Sequence, residues 1–352
     1  MLKINQPSAP VINVTAGQNA TLDLNPGPRY HAVLLIATVT KTSPTADAVI
    51  SPTLGDVLGL INIKVNTVAK RQHTAVELDA VQTRWSSYLA ATKFDGLSND
   101  LITAVADTTA TNNSVGCTTR TTTWVLVVNF AEPSRESYTA RQAFAWPTSW
   151  ANGQRAKIQF EIGVPNNTNI TLATMATGKA FFTNPVIRAE EVIDYVTGPV
   201  DSTGKAIMPI THWFRQPESY GGTNPVIRKF PFTGILQQST IFSPASTDYV
   251  TGYEIKLNNS PQAKGTLASR GVLNGDYAWN NTAQMSVATN GTVTASTQFD
   301  LAFDFDDDAS PTNSLPVGGN DILEYNLTLA AASATNKTLT ILSQVYRDAL
   351  AA

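Results

Sequence analysis

Apolar and polar positions alternate with a period of two along much of this chain, the pattern of a strand with one face in a core and one face outside. Ile61-Asn62-Ile63-Lys64-Val65-Asn66 alternates cleanly, as do Ile158-Gln159-Phe160-Glu161-Ile162 and Leu323-Glu324-Tyr325-Asn326-Leu327-Thr328-Leu329. Phe299-Asp300-Leu301-Ala302-Phe303-Asp304-Phe305 follows the same rule, with a small Ala at one outward position. Two runs, 32–37 and 124–128, are apolar throughout and predict strands covered on both faces. Turn residues interrupt the chain often, at Asn25-Pro26-Gly27-Pro28, Asn152-Gly153, Asn274-Gly275 and Gly318-Gly319. Many short strands with frequent turns point to sandwiches or barrels. One helix stands out. Thr74 and Glu77 form a capping-box pattern, and Val76, Val81, Trp85 and Leu89 then lie close to one helical face, which predicts a helix over 75–91. A weaker helical pattern covers 137–144, before Pro147.

A weak internal repeat organises these elements. Ile63-Lys64-Val65-Asn66 recurs as Ile255-Lys256-Leu257-Asn258 in the same strand phase. An apolar strand precedes each copy, 32–37 in the first and 235–242 in the second, and a basic residue follows each, Arg71 or Lys264. Tandem duplication of one β-domain explains the pairing economically; chance similarity between two amphipathic strands is the alternative. Turn-rich sequence at Thr197-Gly198-Pro199, Asp201-Ser202-Thr203-Gly204 and Tyr220-Gly221-Gly222 marks a boundary. The expected organisation is an N-terminal arm (1–15), a first jelly roll (16–196), a linker (197–225) and a second jelly roll (226–352). The expected fold class is all-β, two tandem eight-stranded jelly-roll β-sandwiches with a short inserted helix.

Composition narrows the functional classes. Only 14% of the 352 residues are charged, well below the usual ~25%, and Thr, Ser, Asn and Ala take their place. So neutral and polar a surface suits wide protein–protein contact. The formal net charge of −3, with no Lys/Arg run, offers no footprint for direct nucleic-acid binding. The single cysteine, Cys117, excludes an intrachain disulfide and a Cys-based zinc site, and its Thr/Asn-rich surroundings predict an unreactive thiol. Met1-Leu2-Lys3-Ile4-Asn5-Gln6-Pro7 has no apolar signal-peptide core, no apolar run approaches 18 residues, and folding in a cytoplasm is the simplest expectation. Asn-x-Ser/Thr triplets at Asn13, Asn169 and Asn326 are then by-products of composition.

No residue pattern commits the chain to catalysis, a cofactor or a metal. His31, His73 and His212 lack metal-ligand spacing and are expected to be structural. No nucleophile elbow or phosphate-binding glycine loop occurs. Asp304-Phe305-Asp306-Asp307-Asp308 starts like a calcium loop, but Ala309 and Leu315 stand where such a loop needs Gly and Glu. An acidic turn ending the strand is the simpler reading, and divalent-cation binding through Asp304, Asp306 and Asp308 the sharper one. A paired-carboxylate glycosidase site lacks any second carboxylate placed opposite the first. Trp124, Trp146, Trp150 and Trp213 follow no single strand face. Core or subunit-interface packing is the direct reading, and a sugar-binding face the alternative.

Three blocks give the chain a family resemblance. The first is Arg29-Tyr30-His31, the 61–66 strand and Glu77-Leu78-Asp79-Ala80. The second runs Phe130-Ala131-Glu132-Pro133-Ser134-Arg135-Glu136-Ser137-Tyr138, with Ala145-Trp146 and Phe160-Glu161-Ile162. The third is Phe230-Pro231-Phe232-Thr233-Gly234 with Tyr253-Glu254-Ile255-Lys256-Leu257-Asn258. In order and spacing they resemble the double-jelly-roll major capsid proteins of tailless, usually membrane-containing icosahedral bacterial viruses, the lineage of the adenovirus hexon. The resemblance implies a non-enzymatic shell protein located in the virion capsid. It implies a homotrimer of pseudo-hexagonal outline, neighbouring capsid trimers, a vertex penton protein, and an internal membrane or minor membrane proteins beneath the shell. The arm at 1–15 would reach beneath the shell. A carbohydrate-binding or carbohydrate-active β-sandwich and a viral spike protein are the competing classes, since jelly rolls host all three.

Overall fold

The computed structural model describes residues 3–42, 54–85, 91–95, 119–131, 144–166, 181–228, 230–243, 250–266, 300–305, 314–330 and 337–350. The first half supplies β1 (Ile4–Pro7), β2 (Asn19–Leu24), β3 (Arg29–Thr42), α1 (Leu54–Val57), β4 (Leu60–Val65), β5 (Val68–Thr74), α2 (Ala75–Trp85), β6 (Thr92–Asp95), β7 (Thr119–Asn129), β8 (Trp146–Pro147), β9 (Ile158–Gly163) and β10 (Phe181–Asp194). The second supplies β11 (Ile207–Tyr220), β12 (Val226–Ile227), β13 (Gly234–Phe242), β14 (Val250–Leu257), β15 (Ser260–Thr266), β16 (Asp300–Asp304), β17 (Leu315–Val317), β18 (Leu323–Leu329) and β19 (Lys337–Leu350).

The strand pairings repeat. In the first half β2-β9-β4-β5 faces β1-β10-β3-β7, and in the second β12-β18-β14-β15 faces β11-β19-β13-β16. Even the accessory pairs correspond, β8 with β3 and β17 with β13. Each half is therefore an eight-stranded jelly roll, its two sheets packing their inward rows against each other.

The local repeat is a matched hairpin. Asn66 and Thr67 join β4 to β5 with φ of 47° and 73°, and Asn258 and Asn259 join β14 to β15 with φ of 51° and 65°. Two successive residues at positive φ make the two-residue turn that matches strand twist, and Asn tolerates that region best after Gly. Asn66 exchanges two hydrogen bonds with the Lys157 backbone, donating its N–H (3.0 Å) and accepting at Oδ1 (2.9 Å). Asn258 does the same with Ile322, at 2.9 and 2.9 Å. Both hairpins carry a bulge at the same step, between Ile63 and Lys64 and between Ile255 and Lys256. These coincident features favour duplication over chance similarity between two amphipathic strands. The register also corrects one correspondence: Arg71 pairs with Ile63 and Ala263 with Ile255, so Ala263 is the counterpart of Arg71, and Lys264 is not.

The alternating segments fold as their phase requires. Ile61, Ile63 and Val65 face inward from β4, Ile158, Phe160 and Ile162 from β9, and Leu323, Tyr325 and Leu327 from β18. The runs 32–37 and 124–128 differ from expectation. Val33, Leu35, Leu126 and Val128 are buried, whereas the outward Leu34, Ile36, Val125 and Val127 are half-buried, so these strands are not enclosed on both faces. The capping box forms as read: Thr74 N–H donates to Glu77 Oε2 (2.7 Å), and Glu77 N–H to Thr74 Oγ1 (3.1 Å). Helix α2 starts at Ala75 and is described to Trp85, with Leu78, Val81 and Gln82 buried; Leu89 and the weaker pattern at 137–143 lie outside the described residues.

Two segments carry more structure than their composition suggests. The arm at 1–15 contains β1, paired antiparallel with β10 of its own chain. The expected linker at 197–225 contains β11, which pairs with β19 along its whole length and takes in the second roll the place of β1 in the first. The connection between the rolls is thus short, and it is held. Gly198 N–H donates to Ser149 O, and Trp150 Nε1 donates to Ile207 O, each at 2.8 Å. A Cβ on Gly198 would stand 2.3 Å from that indole nitrogen, so only glycine lets the indole lie there.

Candidate functional site: the junction between the two rolls

Strands β5 and β11 meet in parallel at Arg71 and Trp213, which joins one sheet of each roll into a continuous nine-stranded sheet. Arg71 sits on the inward phase of β5, where a neighbouring strand would place an aliphatic side chain. It is 2% exposed. Its guanidinium carbon lies 4.9 Å from the Trp146 ring centroid, 5.1 Å from Trp213 and 5.6 Å from Phe130. Nη1 donates to Asn129 O (2.7 Å) and Nε to Thr211 O (3.4 Å). Three aromatic faces and two carbonyls thus stabilise a desolvated cation.

A second arginine crosses in the opposite direction. Arg215 of β11 donates through Nε to both carboxylate oxygens of Glu77, at 2.9 Å each, and through Nη2 to Thr340 Oγ1 (3.4 Å). Glu77 is the capping residue of α2, so a first-roll helix start is held by a second-roll strand. Thr211 adds a hydrogen bond to Gln237 Oε1 (3.2 Å). The first hydrophobic core extends through this contact to include Met208, Ile210, Trp213 and Leu342 of the second roll.

The histidines are structural elements of this interior. His73 packs edge-on against Trp213 at 5.4 Å, and its Nδ1 donates to Thr74 O (3.2 Å). Burial pushes its pKa down to about 3; the Thr74 carbonyl opposes that shift, and nearby Arg71 and Arg215 reinforce it. His31 Nε2 lies 2.8 Å from Asp194 Oδ2, and burial lowers its pKa despite this carboxylate. Asp194 is also held in a fork by Arg29, at 3.0 and 2.6 Å, and accepts Val196 N–H (3.0 Å). Burial works to raise the Asp194 pKa, but these donors outweigh it and hold it at about 2. His212 stacks on Phe214 at 5.9 Å.

These shifts set an acid sensitivity. A histidine whose folded pKa lies below the unfolded ~6.5 contributes nothing above that value, and destabilises progressively as pH falls through it, because the unfolded chain takes up the proton first. His73 alone is expected to cost about 2 kcal/mol of unfolding free energy between pH 6.5 and pH 5. His31 acts in the same direction, and Asp194 extends the loss below about pH 4. Denaturant melts at a series of pH values check this, with His73→Gln expected to flatten the slope. An equal slope in that variant would remove His73 as the cause.

The other sequence candidates do not converge. Trp146, Trp150 and Trp213 are buried in the core or at the junction, and Trp124 is half-buried, so they form no open aromatic face. Asp304 ends β16, while Asp306, Asp308 and Cys117 lie outside the described residues. Among the described residues no group of three or more His, Cys, Asp or Glu side chains is placed to hold a metal, and no helix is long and apolar enough to cross a membrane. A pocket of about 400 Å³ opens between Arg228, Phe230, Phe232 and Asp321. Its polar groups are already engaged: Asp321 accepts Asn258 Nδ2 (2.7 Å) and Gly318 N–H (2.6 Å), and Arg228 pairs with Glu324 at 2.6 Å. The Arg71–Trp213 and Arg215–Glu77 contacts were not legible as a site. Their one local signal is Arg71 and His73 on the inward phase of an alternating strand.

Neither a protein-family model nor a curated protein sequence matches the chain. Solved structures do, over nearly the full length. The major capsid protein P2 of bacteriophage PM2 matches with a TM-score of 0.58 at 11% identity, over 98% of this chain and 97% of that one. A chain in the atomic structure of Sulfolobus turreted icosahedral virus matches with a TM-score of 0.60 at 10% identity, over 99% and 92%. The Faustovirus major capsid protein matches with a TM-score of 0.58 at 8% identity, over 99% and 90%. The fold is that of the double-jelly-roll major capsid proteins.

Proposed function

We propose that this chain is the major capsid protein of a tailless icosahedral virus, a structural subunit of the virion shell that catalyses nothing. The observation that carries this reading is the match over 98–99% of this chain to capsid proteins of similar length. A protein that used one roll as a binding module would have no need of a second, rigidly fixed copy. The arginine clamps make the pair one body, the form a tiling unit requires. Low surface charge favours extensive contact without costly desolvation of ions.

In this reading the first roll runs from β1 to β10 and the second from β11 to β19, and three chains close into a ring of six rolls. Trimers then tile the shell, with a different protein at the five-fold vertices. A bacterial host and a membrane beneath the shell are the finer reading, supported by the sequence resemblance and by the near-equal length of the phage PM2 protein. The burial of Trp146, Trp150 and Trp213 counts against the sugar-binding alternative.

The test is the solution mass of the purified protein by light scattering. The expected species has about three times the 37.7 kDa chain mass. A monomer that persists at high concentration would overturn the shell reading.

A further inference from the structure

Resting on that trimer reading, we infer which strands close the ring: the outer edge of β15 in one protomer receives β1 of the next. The inference comes from the duplication. Within the chain, the first roll offers the edge of β5 and the second roll fills it with β11. The counterpart of β5 in the second roll is β15, and the counterpart of β11 in the first roll is β1. Six rolls in one closed ring alternate first, second, first, second. The contact from first to second is made within each chain, so the contact from second to first must be made between chains by the corresponding elements.

Both elements are available for it. Among the described residues β15 pairs only with β14, and β1 only with β10. Their side chains are largely exposed, including Ile4 on β1 and Lys264 on β15. Pro261 and Lys264 on β15 are residues that restrain indiscriminate edge-to-edge pairing, which suits an edge reserved for one partner.

The register follows from matched irregularities. In each roll the inner strand is bulged at one residue, His31 in β3 and Gln237 in β13, and each bulged residue accepts a phenylalanine N–H at 2.8 Å, from Phe130 and Phe305. Aligning the bulges makes Val192 the counterpart of Gln344. Asn5 pairs with Val192 and Trp213 with Gln344, so Asn5 is the counterpart of Trp213. Ala263 is the counterpart of Arg71. The contact made inside the chain by Arg71 and Trp213 is therefore made between chains by Ala263 and Asn5. The substitution has a physical sense: an unassembled subunit leaves only a half-buried alanine and an exposed asparagine there, where an arginine–tryptophan clamp would leave a large apolar ring in water. Opposite charges flank the two positions, Lys264 beside Ala263 and Glu190 beside Asn5, whose Nδ2 donates to Glu190 (3.3 Å).

The test places cysteines at both positions, Asn5→Cys with Ala263→Cys in a Cys117→Ser background, and oxidises the assembled protein with copper phenanthroline. Neighbouring strands bring register partners within disulfide reach. Covalent dimers and trimers are expected, with nothing longer, and none from either single variant. A light-scattering trimer that stays uncrosslinked would overturn the β15–β1 pairing and leave the trimer standing. A ladder longer than three would overturn ring closure, and a light-scattering monomer would overturn the capsid reading itself. Should the double variant not fold, amine crosslinking of the unmodified protein decides the pairing. A Lys3–Lys264 link in the covalent dimer band is expected, and its absence from a well-crosslinked dimer would overturn the pairing.

Discussion

Replacing Trp146 with alanine is expected to lower the unfolding free energy by about 3–5 kcal/mol, the usual cost of removing a large buried aromatic. Trp146 is fully buried, pairs with Tyr30 across the sheet, lies 4.5 Å from Phe130 by ring centroid, and forms one wall of the Arg71 cage. Alanine would leave a cavity and strip a face from a buried cation. The indole nitrogen has no hydrogen-bond partner among the described residues, so Trp146→Phe loses no bond and is expected to cost only about 1 kcal/mol. Chemical denaturation of both variants checks the pair. Equal losses would mean that packing against Arg71 and Phe130 is not what Trp146 provides.

The second large effect is expected at Arg71. Methionine keeps the volume and the apolar stem but removes the two carbonyl hydrogen bonds and the cation held between rings. Hydrogen bonds to charged groups contribute about 1.5–3 kcal/mol each and a desolvated cation–π contact about 2, while relief of the buried charge offsets part of the loss. A net cost of about 2–4 kcal/mol is expected on that basis. The qualitative outcome matters more. Arg71 ties β5 to the Thr211 carbonyl of the second roll, so the thermal transition, expected to be single in the parent, should separate into two by calorimetry. Arg71→Lys retains charge without the planar fork and is expected to fall between. A single transition in Arg71→Met, at unchanged temperature, would show that the rolls are coupled by other contacts.

Much of the fold was legible along the chain, and particular residues show why. Ile61, Ile63 and Val65 announce an inward face because a strand has only two sides. Thr74 and Glu77 announce a helix start because their side chains satisfy amides three residues away. Asn66 and Asn258 mark the same turn twice because both lie in a conformation that few side chains tolerate. Each of these signals has a range of a few residues. The signals around the expected linker have the same short range. Gly-, Pro- and Ser-rich sequence around 197–225 does describe turns, but whether Ile207–Tyr220 is a strand depends on β19, more than a hundred residues later, offering an edge.

The junction lay beyond local reach altogether. The sequence by itself determined an all-β chain, a repeated strand pattern, a capped helix after the first hairpin and a low-charge composition, because these follow from backbone sterics and side-chain alternation. Only the tertiary structure decided that Arg71 is a clamp and its counterpart Ala263 is not, that Trp146, Trp150 and Trp213 are packing residues, and which edges remain open. An arginine on an inward phase is a costly defect until three rings and two carbonyls from other strands surround it, and that enclosure exists only once the two rolls have docked.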